Sequence, residues 1–262
     1  MAPSSSHRYL ALLALFAVSL NLCCCQNESL DASGWGNAGV TWYGEPDGAG
    51  STGGACGYGF AVANPPLNAM VSAGGPSLFD NGKGCGACYQ IMCNGNPACS
   101  GKPITVTITD ECPGGPCTSE PFHFDLSGRS MGALAKPGQA DRLRSAGVLR
   151  VNFRRVACLY QGTNIAFRID AGANPYYVAF VVEYEDGDGD LVSVEIQPAG
   201  GNFMPMQEMR SAVWKINSGS PLKGPYNIRL TSARSRKVVV AQSVIPANWK
   251  ADATYRSIVN FH

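Results

Sequence analysis

Two aspartates, Asp110 and Asp125, close the two arms of one short segment, TVTITDECPGGPCTSEPFHFDLSG over residues 105–128. Val106 and Ile108 alternate with Thr105, Thr107 and Thr109, the period-2 pattern of a half-buried strand. That strand ends on Asp110. A Pro/Gly turn bracketed by Cys112 and Cys117 follows, and the chain returns through Phe122, His123 and Phe124 to Asp125. Paired carboxylates at strand ends beside one cross-linked loop are the groups that acid/base work on glycosidic bonds uses. The segment therefore predicts a cleft that processes or grips carbohydrate. His123 lies two residues before Asp125 and shares its strand face. Trp42, Tyr43, Tyr176 and Tyr177 offer flat aromatic faces on which sugar rings stack, while Trp214, inside a strand pattern, is expected in the core.

Other chemistries fail on spacing. Cys85-Gly86-Ala87-Cys88 lacks the second ligand pair a zinc site needs and is read as disulfide-forming. Residues 128–132 (GRSMG) match a nucleophile elbow, but the only histidine downstream is the last residue, His262, and the βαβ units of that fold are missing. Asp186, Asp188 and Asp190 open like a calcium loop, yet Leu191 stands where Gly is required and Gln197 where Glu is required; a hairpin turn is expected there. The Gly-rich stretch before Gly59 lacks a phosphate loop's Gly-Lys-Ser/Thr ending. No metal, cofactor or phosphate site is expected.

These residues need elements to hold them. The chain has 262 residues, a formal charge of +1 and 15% charged residues, with 31 Gly and 17 Pro. That balance excludes a nucleic-acid binder and fits a turn-rich β protein. His7 and Arg8 precede an apolar run over residues 9–22, too short to span a membrane, so residues 1–25 read as a secretory signal. Its removal takes Cys23, Cys24 and Cys25 and leaves eight of eleven cysteines, an even set consistent with four bridges. Asn27-Glu28-Ser29 is a glycosylation sequon in an N-terminal extension, 26–39.

The remaining cysteines all fall between Cys56 and Cys158, which divides the chain. A stapled domain occupies 40–161, a joint follows, and 174–262 must fold by core packing alone. The first domain shows short strands at 89–93, 103–110, 122–126 and 148–156, and one helix over 130–146 with Met131, Leu134 and Leu143 inward, interrupted at Pro137 and Gly138. This predicts a small β-barrel. The second alternates Val178, Phe180, Val182 and Tyr184, turns at 185–190 and returns over 191–196, with further strands at 211–216, 226–231 and 237–244: a β-sandwich. Cys93 with Cys99 and Cys112 with Cys117 are close enough for local loops; the other four cysteines allow three pairings.

The strings TWYG (41–44), GGACGYG (53–59), GCGACYQIMC (84–93), ITDECPGGPC (108–117), HFDLSG (123–128), FRRVAC (153–158) and NPYYVAFVVEY (174–184) together resemble the β-expansins of plant cell walls, the family that includes the group-1 grass pollen allergens. The resemblance covers nearly the whole chain after the signal, in order. It implies a six-stranded double-psi β-barrel related to inverting endoglucanases, followed by an immunoglobulin-like β-sandwich that binds carbohydrate. It implies a secreted, monomeric wall protein that binds cellulose, xylan or other matrix glycans and loosens their non-covalent contacts without hydrolysis. It further implies the bridges Cys56–Cys85, Cys88–Cys158, Cys93–Cys99 and Cys112–Cys117, and a groove holding Thr41, Trp42, Tyr43, Asp110, His123 and Asp125. Asp125 falls at the general-acid position of the related endoglucanases. The matching base is absent in the family, although Glu45 stands where those enzymes keep it, so a weak inverting glucanase or xylanase is the alternative; a purely adhesive glycan binder is another. Tyr177 belongs to the second domain's aromatic platform, and Arg210 replaces a tryptophan common there. Arginine can stack on a ring or pair with a uronic acid.

Overall fold

The computed structural model describes residues 34–261; the signal segment, Cys23, Cys24, Cys25, Asn27 and His262 lie outside the described residues. Six strands, β1 (Gly36–Tyr43), β2 (Val71–Gly74), β3 (Cys88–Cys93), β4 (Ile104–Glu111), β5 (His123–Ser127) and β6 (Leu149–Val156), close into a barrel in the order β1-β5-β2-β4-β3-β6. The β1–β5 and β2–β4 pairs are parallel and the rest antiparallel. Alternation decides what fills it. Val40, Ile91, Ile108, Phe124 and Leu126 point inward and are fully buried, with Tyr89 edge-on to Phe124 at 5.3 Å. The odd-numbered residues of β1 and β5 therefore face outward, and the candidate groove is built on that outer wall.

Four short helices cap the barrel: α1 (Pro76–Phe79), α2 (Pro116–Ser119), α3 (Gly128–Ala133) and α4 (Ala140–Arg144). The single helix expected over 130–146 is thus two, because Pro137 removes a backbone donor and Gly138 takes φ +72° between them. Met131, Leu134 and Leu143 are still buried against the barrel core.

Nine further strands follow: β7 (Ala166–Ile169), β8 (Tyr177–Glu183), β9 (Leu191–Gln197), β10 (Met204–Pro205), β11 (Gln207–Glu208), β12 (Val213–Asn217), β13 (Tyr226–Ser232), β14 (Val238–Ile245) and β15 (Thr254–Arg256). They form two sheets, β10-β9-β13-β14 and β11-β12-β8-β7-β15. Phe167, Phe180, Tyr226, Ile228 and Leu230 are fully buried between them, and Trp214 joins them. Two expectations are corrected here. The sequence predicts units beginning at 40 and 174, but β1 begins at Gly36 and β7 lies inside the expected joint. Residues 185–190 are not a hairpin, because β8 and β9 belong to different sheets. The segment crosses the seam between domains, with Glu185, Asp186 and Asp190 buried.

At that seam a third apolar cluster joins both domains: Tyr58, Val62, Phe79 and Tyr160 from one side, Ala166, Val181, Tyr184 and Ala212 from the other. Asp186 Oδ1 accepts from the Tyr160 backbone at 2.6 Å, Arg155 pairs with Asp190 at 2.7 Å, and Cys158 and Gly187 exchange backbone bonds. The four disulfides, Cys56–Cys85, Cys88–Cys158, Cys93–Cys99 and Cys112–Cys117, all lie in the barrel.

Candidate functional site

The parallel register of β1 and β5 sets Thr41 opposite Asp125 and Gly39 opposite His123. Thr41 Oγ1 donates to Asp125 Oδ1 at 2.5 Å and lies 2.9 Å from His123 Nε2. Its single proton being given to Asp125, the hydroxyl accepts from the histidine. The other ring nitrogen, Nδ1, faces Glu120 Oε2 at 3.4 Å, and Glu120 is held in turn by Arg150 at 2.8 Å. Glu120 thus faces the second ring nitrogen, and Arg150 holds it there. Gly39 makes room for it, since a Cβ there would overlap the Glu120 carboxylate.

Asp110 ends β4 across the groove, and its state is different. Oδ1 accepts from the Ala55 and Glu111 backbones at 2.7 and 2.8 Å, and Oδ2 accepts from Tyr43 Oη at 3.3 Å. Both oxygens are engaged in holding the loop after Gly54 and the Tyr43 ring. Asp125, by contrast, uses Oδ1 alone; among the described residues no donor reaches Oδ2. Burial raises its pKa against the Thr41 hydrogen bond and the His123 charge, which pull it down, and Asp110 adds a smaller push upward. Burial, then the Asp110 charge and hydrogen bond, also hold the Tyr43 phenol well above its usual value, so it stays a neutral donor.

Trp42 is separated from this group. It lies on the opposite face of β1 from Thr41 and Tyr43, packs against the barrel core, donates from Nε1 to the Arg144 carbonyl at 2.9 Å, and has the Arg144 guanidinium over its ring. Its even position on β1 sets it on the face opposite Thr41 and Tyr43, where it is half-buried. Glu45 is exposed in the turn after β1, and its carboxylate makes no hydrogen bond or ion pair among the described residues. Tyr177 heads β8, paired with Asn217. Arg210 precedes β12 at the other end of that ladder, with φ +57°, and donates to Asn81 Oδ1 of the barrel. Val213 and Asn217 alone span about 13 Å of strand, so Tyr177 and Arg210 are not neighbours. Sequence reasoning missed Glu120 and Arg150. The available signal was a carboxylate three residues before His123 and an arginine on β6 that shares the outer face of β1.

Residues 165–246 match the expansin C-terminal domain model, and residues 71–153 match a double-psi barrel model described as lytic transglycolase. Expansin-B4 of Arabidopsis thaliana is 78% identical over 258 residues, 98% of this chain and all of that protein. Expansin-B11 of Oryza sativa subsp. japonica is 57% identical over 87% of this chain and 79% of its own. Among solved structures, the apo expansin of Clavibacter michiganensis superposes with a TM-score of 0.64 at 22% identity, covering 87% of this chain and 97% of that one. A mutant of the same bacterial protein, in complex with cellohexaose, superposes at 0.63 and 20% identity. With full-length relatives at such identity and a barrel and sandwich in the matching order, this chain belongs to the β-expansins.

Proposed function

We propose that this chain, a secreted wall protein as its family is, loosens plant cell walls without cutting them. It grips a glycan along the barrel groove and parts the non-covalent contacts between cellulose microfibrils and matrix glycans. One observation carries the non-hydrolytic part: the two groove carboxylates are not equivalent. Asp125, whose pKa burial raises, has one oxygen that no donor reaches among the described residues, while Asp110 has both oxygens bonded to the fold. An inverting hydrolysis needs an acid and a free base with room for water between them, about 6.5–9.5 Å apart. Asp110 is not free, and Glu45 is an unfixed surface group. Asp125 then supplies the polar contact to a glycan hydroxyl through its unengaged oxygen, with Thr41 and His123 positioning it and Tyr43 forming the floor. The second domain adds Tyr177 and Arg210 at opposite ends of one ladder, and the cellohexaose complex of the bacterial relative supports an oligosaccharide as ligand. No metal or cofactor enters this reading.

Wall creep under constant load, run beside an assay for released reducing ends, tests it. Creep without released sugar is expected, with Asp125→Asn losing most of the creep rate. Released sugar that disappears in Glu45→Gln would overturn the reading in favour of a weak glucanase, the activity that the transglycolase-type barrel match keeps in view. Binding without creep would leave an adhesive protein.

A further inference from the structure

The outer wall of the barrel does not end at the groove. Register continues it in rows two residues apart, each row about 7 Å from the next. Thr41 and Asp125 form the first row; His123, Gly39 and Arg150 the second; Asn37, Asn152 and Met92 the third. In the fourth, Gln90 pairs with Arg154, and Trp35 stands one residue beyond the β1–β6 ladder, where the next partner of Arg154 belongs. Polar side chains link neighbours within the rows: Glu120 joins His123 to Arg150, and Asn152 Nδ2 donates to Asn37 Oδ1 at 3.2 Å.

The fourth row carries a built cation. Arg154 Nε and Nη2 both donate to Gln90 Oε1, at 2.9 and 2.7 Å, and the guanidinium lies 4.7 Å from the centre of the Trp35 ring. Gln90 fixes one edge of the guanidinium and the indole fixes its plane, so little side-chain freedom is left to lose on binding. Yet no carboxylate pairs with it among the described residues, whereas Arg150 has Glu120, Arg155 has Asp190 and Arg144 has Asp141. Arg154 is exposed, and among the described residues no acceptor meets Nη1. A planar, oriented guanidinium with donors left over is the form that binds carboxylates through parallel hydrogen bonds.

We infer that Arg154, set by Gln90 and Trp35, is a subsite for a uronic-acid carboxylate on a matrix glycan that leaves the groove and runs along β1 and β6. Three row spacings put it about 20 Å from Asp125, several sugar units along the chain. The inference rests on the groove reading for the direction of the glycan. It is independent of Arg210, which is bonded to Asn81 on the other domain's approach.

Titration calorimetry of the full chain against glucuronoxylan, the same xylan after carboxyl reduction, and cellohexaose tests it. The expected result is tighter binding of glucuronoxylan than of reduced xylan by roughly tenfold at low salt, the scale of one hydrogen-bonded charge. Arg154→Gln should erase that ratio while leaving cellohexaose binding unchanged, and Arg154→Lys should restore only part of it, since an ammonium lacks the planar fork. Arg236→Gln, on an exposed turn of the sandwich, should leave the ratio intact. Equal binding of both xylans by the unaltered protein, or an unchanged ratio in Arg154→Gln, overturns the subsite but not the groove. Failure of the unaltered protein to bind any of the three overturns both.

Discussion

The barrel and the sandwich solve the same stability problem in opposite ways. All four disulfides lie in the barrel, whereas the sandwich has none among the described residues and is held by Phe167, Phe180, Tyr226 and their neighbours, fully buried between two sheets. The barrel spends its outer wall on polar work: Thr41, His123, Asp125, Glu120 and Arg150 occupy positions that a second packed layer would otherwise cover. Its connecting loops are Gly-rich and carry their own backbone bonds to Asp110 and Cys56 rather than apolar surface. Cross-links replace the missing layer by restricting the unfolded chain. A domain that keeps one face open for a ligand needs staples, and a domain with both inner faces buried does not.

The largest expected effect breaks the sandwich side. Phe180→Ala removes a fully buried ring that meets Phe167 edge-on at 5.4 Å and should cost about 3–5 kcal/mol, read as a fall in the urea midpoint. Dithiothreitol should not move that variant's sandwich transition relative to the unaltered protein, followed by Trp214 fluorescence. Next comes the barrel side. Replacing Cys88 and Cys158 by alanine opens a loop closed over 70 residues and should cost about 2–5 kcal/mol. That loss should appear first in hydrogen exchange of β3 and the end of β6, since Cys88 opens β3 and Cys158 lies just beyond β6. A uniform loss across both domains would mean that the shared cluster around Tyr58 and Tyr160 makes them one cooperative unit, and the comparison above would then describe packing but not folding.

How much of this was legible beforehand follows the same division. Strands β4 and β13 were readable because apolar residues recur in them at a period of two, and β8 because Val178, Phe180 and Val182 do so, although its other face is buried as well. Strand β2, VSAG, was not: all four residues are buried, so no alternation exists to detect. The short β7, β10, β11 and β15 carry too few residues for a pattern and are fixed by their partners. At the site, Asp110, His123 and Asp125 were found by residue type, and Tyr43 by its neighbours. Trp42 was grouped with Thr41 and Tyr43 as one motif, whereas a strand sends adjacent residues to opposite sides and sets Trp42, half-buried, against the barrel core. Glu120 was invisible because its role depends on a loop fold, and the bare Gly39 beneath it leaves no mark in the pattern. Residues 185–190 looked like a polar hairpin, since nothing in a run of aspartates reveals that a second domain will bury them.

That seam carries the smallest effect at any one pH, and the one that tests whether the two domains act together. Four buried acids meet there: Glu183 has Arg168 at 3.0 Å, Asp190 has Arg155 at 2.7 Å, and Asp186 accepts from the Tyr160 backbone at 2.6 Å. Glu185 has no cation partner among the described residues, and burial, with added repulsion from Glu183 and Asp190, lifts its pKa to about 8. An acid whose folded pKa is raised contributes stability that is complete below its unfolded value, about 4.3, and that is lost as pH rises through the folded one. Between those limits the unfolded chain has released the proton and the folded chain has kept it, so stability falls with pH. The ceiling is about 1.4 kcal/mol for each pH unit, and relaxation around the carboxylate holds the loss to a fraction of that. Urea unfolding of the unaltered protein at pH 5, 6.5 and 8 should show this decline, and Glu185→Gln, which keeps the shape and cannot ionise, should flatten it. Glu45→Gln, on the exposed turn, should leave it as it is. A slope that survives in Glu185→Gln would move the linkage elsewhere, with Asp125, whose pKa is also raised by burial, as the group to substitute next. A slope that vanishes would tie the stability of the barrel to the charge of a residue carried by the sandwich, which only a shared, dry seam can do.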